Sequence, residues 1–97
     1  MAIDVVDNVE RSRFEVHVDG KLAGLADYRL RGVTISFTHT EVSADFQGRG
    51  LAARMVRHAL DASRDTGLRV VPLCSYVASY IERHPEYQDL LEAAPAE

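Results

Sequence analysis

One change of hydrophobic period, falling between Val42 and Gly50, constrains this chain more than any other feature. Before it the residues alternate. Phe14, Val16 and Val18 fall on one side of an extended segment and Glu15 and His17 on the other, closed by Asp19-Gly20. Period-two alternation ending in Asp-Gly predicts a β-hairpin. The return strand runs from Lys21 to about Leu30, with Leu22, Gly24, Ala26, Tyr28 and Leu30 as one nearly apolar row. A second turn at Arg31-Gly32 leads into a third strand, Val33 to Val42, rich in β-branched and aromatic residues. Residues 13–42 therefore predict a three-stranded antiparallel meander.

After the break the period becomes helical. Leu51, Ala52, Met55, Val56, Ala59, Leu60 and Ser63 form one stripe of a helix over 50–66, with Gly67 as a left-handed stop. Arg54, Arg57, His58, Asp61, Arg64 and Asp65 fall mostly on the solvated side. Leu68 to Leu73 predicts a short buried strand, and Tyr76 to Arg83 a second helix with Ser75 as its N-cap. His84-Pro85 ends that helix, since the residue before proline disfavours helical geometry. Glu86 to Ala94 predicts a short terminal helix. The order βββ-α-β-α gives an α/β (α+β) fold with a mainly antiparallel sheet of four to five strands and two principal helices. Residues 1–12 are expected as a frayed or edge segment and 13–94 as a single domain.

Composition narrows the function classes. The chain has 97 residues and a formal charge of −4, which disfavours coating of nucleic acid. A single cysteine forms no internal disulfide and suits a reducing compartment. No apolar run approaches the roughly 20 residues that cross a bilayer, and Met1-Ala2-Ile3-Asp4 does not resemble a signal peptide. The expectation is a cytoplasmic, soluble chain, a monomer or weak homodimer, without nucleic-acid or membrane partners.

The most informative stretch is Gln47-Gly48-Arg49-Gly50-Leu51-Ala52, which joins the third strand to the long helix. A helix start presents unsatisfied N–H groups and a positive dipole end, so main chain alone can hold a phosphate there. Glycine permits close backbone approach, and Arg49 adds a charged donor. A glycine pair serves equally as an ordinary connection, and both readings stay open on the loop alone. No Gly-Lys-Ser/Thr follows it, which excludes an ordinary nucleotide P-loop.

Gln47-x-x-Gly50-x-Ala52 resembles the Gln/Arg-x-x-Gly-x-Gly/Ala signature of the GNAT acetyltransferase superfamily. Thr38-His39-Thr40-Glu41-Val42, Val71-Pro72-Leu73-Cys74-Ser75-Tyr76-Val77 and Tyr80-Ile81-Glu82-Arg83-His84-Pro85-Glu86-Tyr87 are similar to its compact YidJ/NATD1-type domains. The resemblance covers about residues 13–91. It implies a minimal GNAT-like fold, acetyl-CoA as acyl donor, and N-acetyl transfer to an amine of a small molecule or protein. It implies that Val42 offers backbone hydrogen bonds to the pantetheine, and that Gln47, Gly48, Arg49, Gly50, Leu51 and Ala52 surround the phosphates. Full-length members build much of their acceptor pocket from an N-terminal helical segment that is not expected here.

Transfer to an amine needs a base, stabilisation of the oxyanion and a proton for the departing thiolate. His39 and Glu41 share a face of the third strand, two residues apart, so either could serve as the base, and the resemblance favours Glu41. Cys74, before the second helix, is either a transient acyl carrier or a lining residue. Tyr76 and Tyr80 share a helix face, and the resemblance favours Tyr80 as proton donor. No histidines or cysteines have metal-ligand spacing. The alternative to a transferase is a catalytically weak acyl-CoA-binding or sensor module.

Overall fold

A computed structural model describes residues 2–91. The sheet has five strands in the order β1-β2-β3-β4-β5: β1 (Ile3–Asn8), β2 (Arg13–Val18), β3 (Lys21–Arg31), β4 (Thr34–Val42) and β5 (Arg69–Pro72). The first four are antiparallel neighbours, while β5 runs parallel to β4. Helices α1 (Leu51–Asp65) and α2 (Ser75–Arg83) pack over one face, sharing a core that includes Val16, Phe37, Met55, Leu60 and Val77. The expected fold class, meander and two helices are all present, and the N-terminal segment is an edge strand. Gly67 holds φ 75° at the end of α1, as its stop role requires.

Four local differences have physical causes. The second turn lies at Gly32-Val33, because Arg31 still pairs with Thr34. A bulge at Ala23 turns that residue inward and Leu22 outward, so Leu22 is 43% exposed and drops from the expected apolar row. Cys74, in extended conformation, occupies the cap position of α2, and Ser75 is its first helical residue. The terminal helix is a 3-10 segment, Pro85–Leu90, after which Leu91 bridges to Val70; residues 92–94 of the expected helix lie outside the described residues. Arg64 holds that segment with a bidentate pair to Asp89 (2.7 and 2.8 Å) and a bond to the Glu86 carbonyl (2.6 Å).

The sheet face away from the helices carries a buried carboxylate, Glu15, which accepts from Arg13 Nε (2.7 Å), His17 Nε2 (2.9 Å) and Asn8 Nδ2 (3.0 Å). The His17 hydrogen bond, then those of Arg13 and Asn8, outweigh burial and hold Glu15 down to about 2. A depressed carboxylate contributes stability that is complete above its unfolded value, 4.5, and is lost as the pH falls through about 2. The shift corresponds to a ceiling of about 3 kcal/mol. Acid unfolding followed by circular dichroism is therefore expected to steepen below pH 4.5, and Glu15→Gln to flatten that limb while lowering stability at neutral pH.

Candidate functional site

The pairing of β4 with β5 stops at Phe37–Pro72, and one further bond, from the Cys74 N–H to the Phe37 carbonyl (2.8 Å), closes the contact. Beyond it β4 continues to Val42 with β3 alone, while the other chain turns into α2. This leaves a wedge between the end of β4 and α2. A bulge at Thr38 shifts the alternation of β4 there. Thr40 and Val42 lie opposite Ala26 and Gly24, on the helix side, whereas His39 and Glu41 lie opposite Asp27 and Leu25, on the other. Gly24 is required by close approach: a Cβ there would stand 2.8 Å from the Glu41 carbonyl and 3.1 Å from Val42 Cγ2.

At the wide end of the wedge a groove of about 180 Å³ is lined by Val42, Phe46, Gln47, Gly48, Gly50, Leu51, Ala52, Ala53 and Tyr76. Every residue expected around the phosphates lines it except Arg49, whose guanidinium stands 5.5 Å from the Phe46 ring centroid. Gly48 (φ 80°) and Gly50 (φ 70°) take the left-handed conformation, and a Cβ on either would meet only open space. Among the described residues nothing accepts from the N–H groups of Gly48, Gly50, Leu51, Ala52 or Ala53. Gln47 Nε2 donates to the Val42 carbonyl (3.2 Å), tying the loop to the strand end. Open donors at the positive end of a helix form a fitting cradle for a diphosphate.

In the wedge, Cys74 Sγ lies 3.5 Å from Thr40 Oγ1. Burial alone would raise the thiol. Hydrogen bonds from the Thr40 hydroxyl and from the backbone N–H groups of Val77 and Tyr76 outweigh it and hold Cys74 below its usual value. On the opposite face His39 Nε2 and Glu41 Oε1 are 3.6 Å apart, both more than half exposed. Tyr80 is not in this groove. It lines a separate trough on α1 with Arg57 and Asp61, and its ring stacks on His84 at 3.9 Å. Tyr76, one turn earlier, is the tyrosine that reaches the loop. Thr40 and Phe46 also belong to the site and were not singled out from sequence; only the parity change at Thr38 turns Thr40 toward Cys74. Among the described residues no three His, Cys, Asp or Glu side chains converge as metal ligands, and no helix is long and apolar enough to cross a membrane.

The glycine loop that caps α1 thus stands beside a pair of parallel strands that part after Phe37–Pro72. The sequence profile described as GCN5-related N-acetyl-transferase matches residues 13–90, and the chain belongs to that family. Protein NATD1 of Xenopus tropicalis is 29% identical over 97 residues, covering 97% of this chain and 88% of the relative. The solution structure of a GCN5-like protein from Staphylococcus aureus superposes with a TM-score of 0.71 at 19% identity, covering 97% of this chain and 92% of the other. N-acetylglutamate synthase from Neisseria gonorrhoeae, solved with coenzyme A and N-acetyl-glutamate, superposes at 0.59 with 17% identity, covering 80% of this chain and 22% of that one.

Proposed function

We propose that this chain transfers an acetyl group from acetyl-CoA to an amine of a small molecule or protein. The carrying observation is the set of unaccepted amides at Gly48 and from Gly50 through Ala53, opening beside a wedge that ends at Cys74. Bound there, acetyl-CoA supplies the acyl group as an activated thioester. The loop amides and the α1 dipole hold the diphosphate. Val42 borders the pantetheine arm through its backbone, and Gln47 keeps that strand end in place. Glu41, paired with His39, takes the proton of the incoming amine from the open face of the sheet. Tyr76 lines the groove and is the better placed donor to the departing thiolate than Tyr80. The cytoplasmic, monomeric or weakly dimeric state expected from the sequence belongs to the same proposal.

The lowered Cys74 thiol favours a second route within this function. Cys74 sulfur bonds to the acyl carbon, the bond to the coenzyme A sulfur breaks, and the leaving thiolate takes a proton; the amine then removes the acetyl group from Cys74. An amine-acceptor screen reading release of free coenzyme A thiol tests the function. Turnover with at least one amine is expected. Saturable binding without release would leave only the acyl-CoA-binding module. Mass spectrometry of protein mixed with acetyl-CoA separates the routes: an unmodified Cys74 together with an undiminished Cys74→Ser rate removes the covalent one.

A further inference from the structure

Separate from the loop groove, a trough of about 550 Å³ runs across the outer side of α1. Ile3 and Val5 of β1 form one wall and Tyr80 of α2 another, with Arg54, Arg57 and His58 of α1 between them. It adjoins the loop groove, since Ala53 lines both. Along an α-helix Arg54 and Arg57 lie about 4.5 and 9 Å beyond Leu51.

Three features mark the trough as a place for an anion. Arg54 and Arg57 form no ion pair among the described residues, while Arg64, the third arginine on this side of α1, is committed to Asp89. Tyr80 is 6% exposed, yet its hydroxyl has no hydrogen-bond partner among the described residues. Among the described residues no fully enclosed side-chain N or O atom lacks a partner, so that hydroxyl opens into the trough it lines. Of the acidic side chains present, Asp61 already accepts from the Tyr87 hydroxyl at 2.7 Å. That leaves Asp4, exposed at the rim, against two arginines.

We infer that the Arg54–Arg57–Tyr80 trough holds a phosphomonoester, the 3′-phosphate on the nucleotide end of the same carrier whose diphosphate lies on the loop. This assignment rests on the acetyl-CoA reading and adds a second anchor to it. The guanidinium groups supply charge-assisted hydrogen bonds, and Tyr80, fixed by its stack on His84, supplies a neutral donor.

Calorimetric titration of the full chain with coenzyme A and with 3′-dephospho-coenzyme A tests this without reference to turnover. The wild-type protein is expected to bind coenzyme A about tenfold more tightly, the size of one hydrogen bond to a charged group. Arg54→Gln and Arg57→Gln should each reduce that preference, their combination should abolish it, and Tyr80→Phe should reduce it less. Melting temperatures serve as the control for folding, since both arginines are exposed. Equal wild-type affinity for the two ligands, or a preference surviving in the double arginine variant, overturns the trough assignment and leaves the loop reading standing. Failure of both ligands to bind overturns the two together.

Discussion

Gly50→Val is expected to weaken acetyl-CoA binding about 30- to 100-fold while lowering the melting temperature by only several degrees. Gly50 caps α1 at φ 70°, and its carbonyl accepts from the Arg54 N–H at 3.1 Å, which sets the first helical turn. A Cβ there meets nothing, so the cost is conformational: about 1–2 kcal/mol for an L-residue held left-handed, more when it is β-branched. Part of that strain appears as lost stability, about 4–8 °C per kcal/mol for a domain of this size. The rest is relieved by rotation of the backbone, which turns the Gly50 and Leu51 amides away from the groove. Gly67→Val separates the two effects, because Gly67 carries the same kind of penalty, φ 75°, at the far end of α1. It should cost similar stability and leave the affinity at the wild-type value. Equal loss of affinity in both variants would show that the loop acts only through global stability.

Glu41→Gln should lower kcat/KM for the amine by about 10²- to 10⁴-fold near neutral pH, with acetyl-CoA affinity little changed. Alkyl amines are protonated at that pH, so the reaction needs a group to receive the proton. Glu41 projects from β4 on the face opposite Thr40, free of the core, with His39 as its neighbour at 3.6 Å. The deficit should shrink as the pH approaches the pKa of the free amine, where solution chemistry supplies the neutral acceptor. His39→Asn should cost less, since it removes the partner and leaves the carboxylate. Wild-type turnover in Glu41→Gln across the pH range would move the proton acceptor elsewhere.

The contrast between what could and could not be read from the residues follows from what each signal encodes. Alternation in 13–42 reports which side of a strand is buried, and β2 to β4 formed as that pattern requires. It does not report bulges. Gly24 was the available signal, since an isolated glycine in a strand marks a bulge or a close approach, and here it sits beside the Ala23 bulge and against Glu41. The bulge at Thr38 has no comparable marker, and it decides that Thr40 and not His39 meets Cys74. Helical spacing places Tyr76 and Tyr80 on one face but cannot say which turn lies over the loop; that depends on where β5 releases the chain. The loop itself was legible because helix-start chemistry is local. The pattern of residues 86–94 predicts an α-helix, but over its described part Pro85 and the grip of Arg64 on Asp89 fix a 3-10 segment, Pro85–Leu90, instead.

Amide chemical shifts recorded by NMR during titration with acetyl-CoA test the central claim most directly. The account predicts the largest saturable shifts at Gly48 and from Gly50 through Ala53, with smaller ones at Thr40, Val42 and Tyr76. Unmoved loop amides at millimolar ligand, or shifts confined to other parts of the chain, would contradict it.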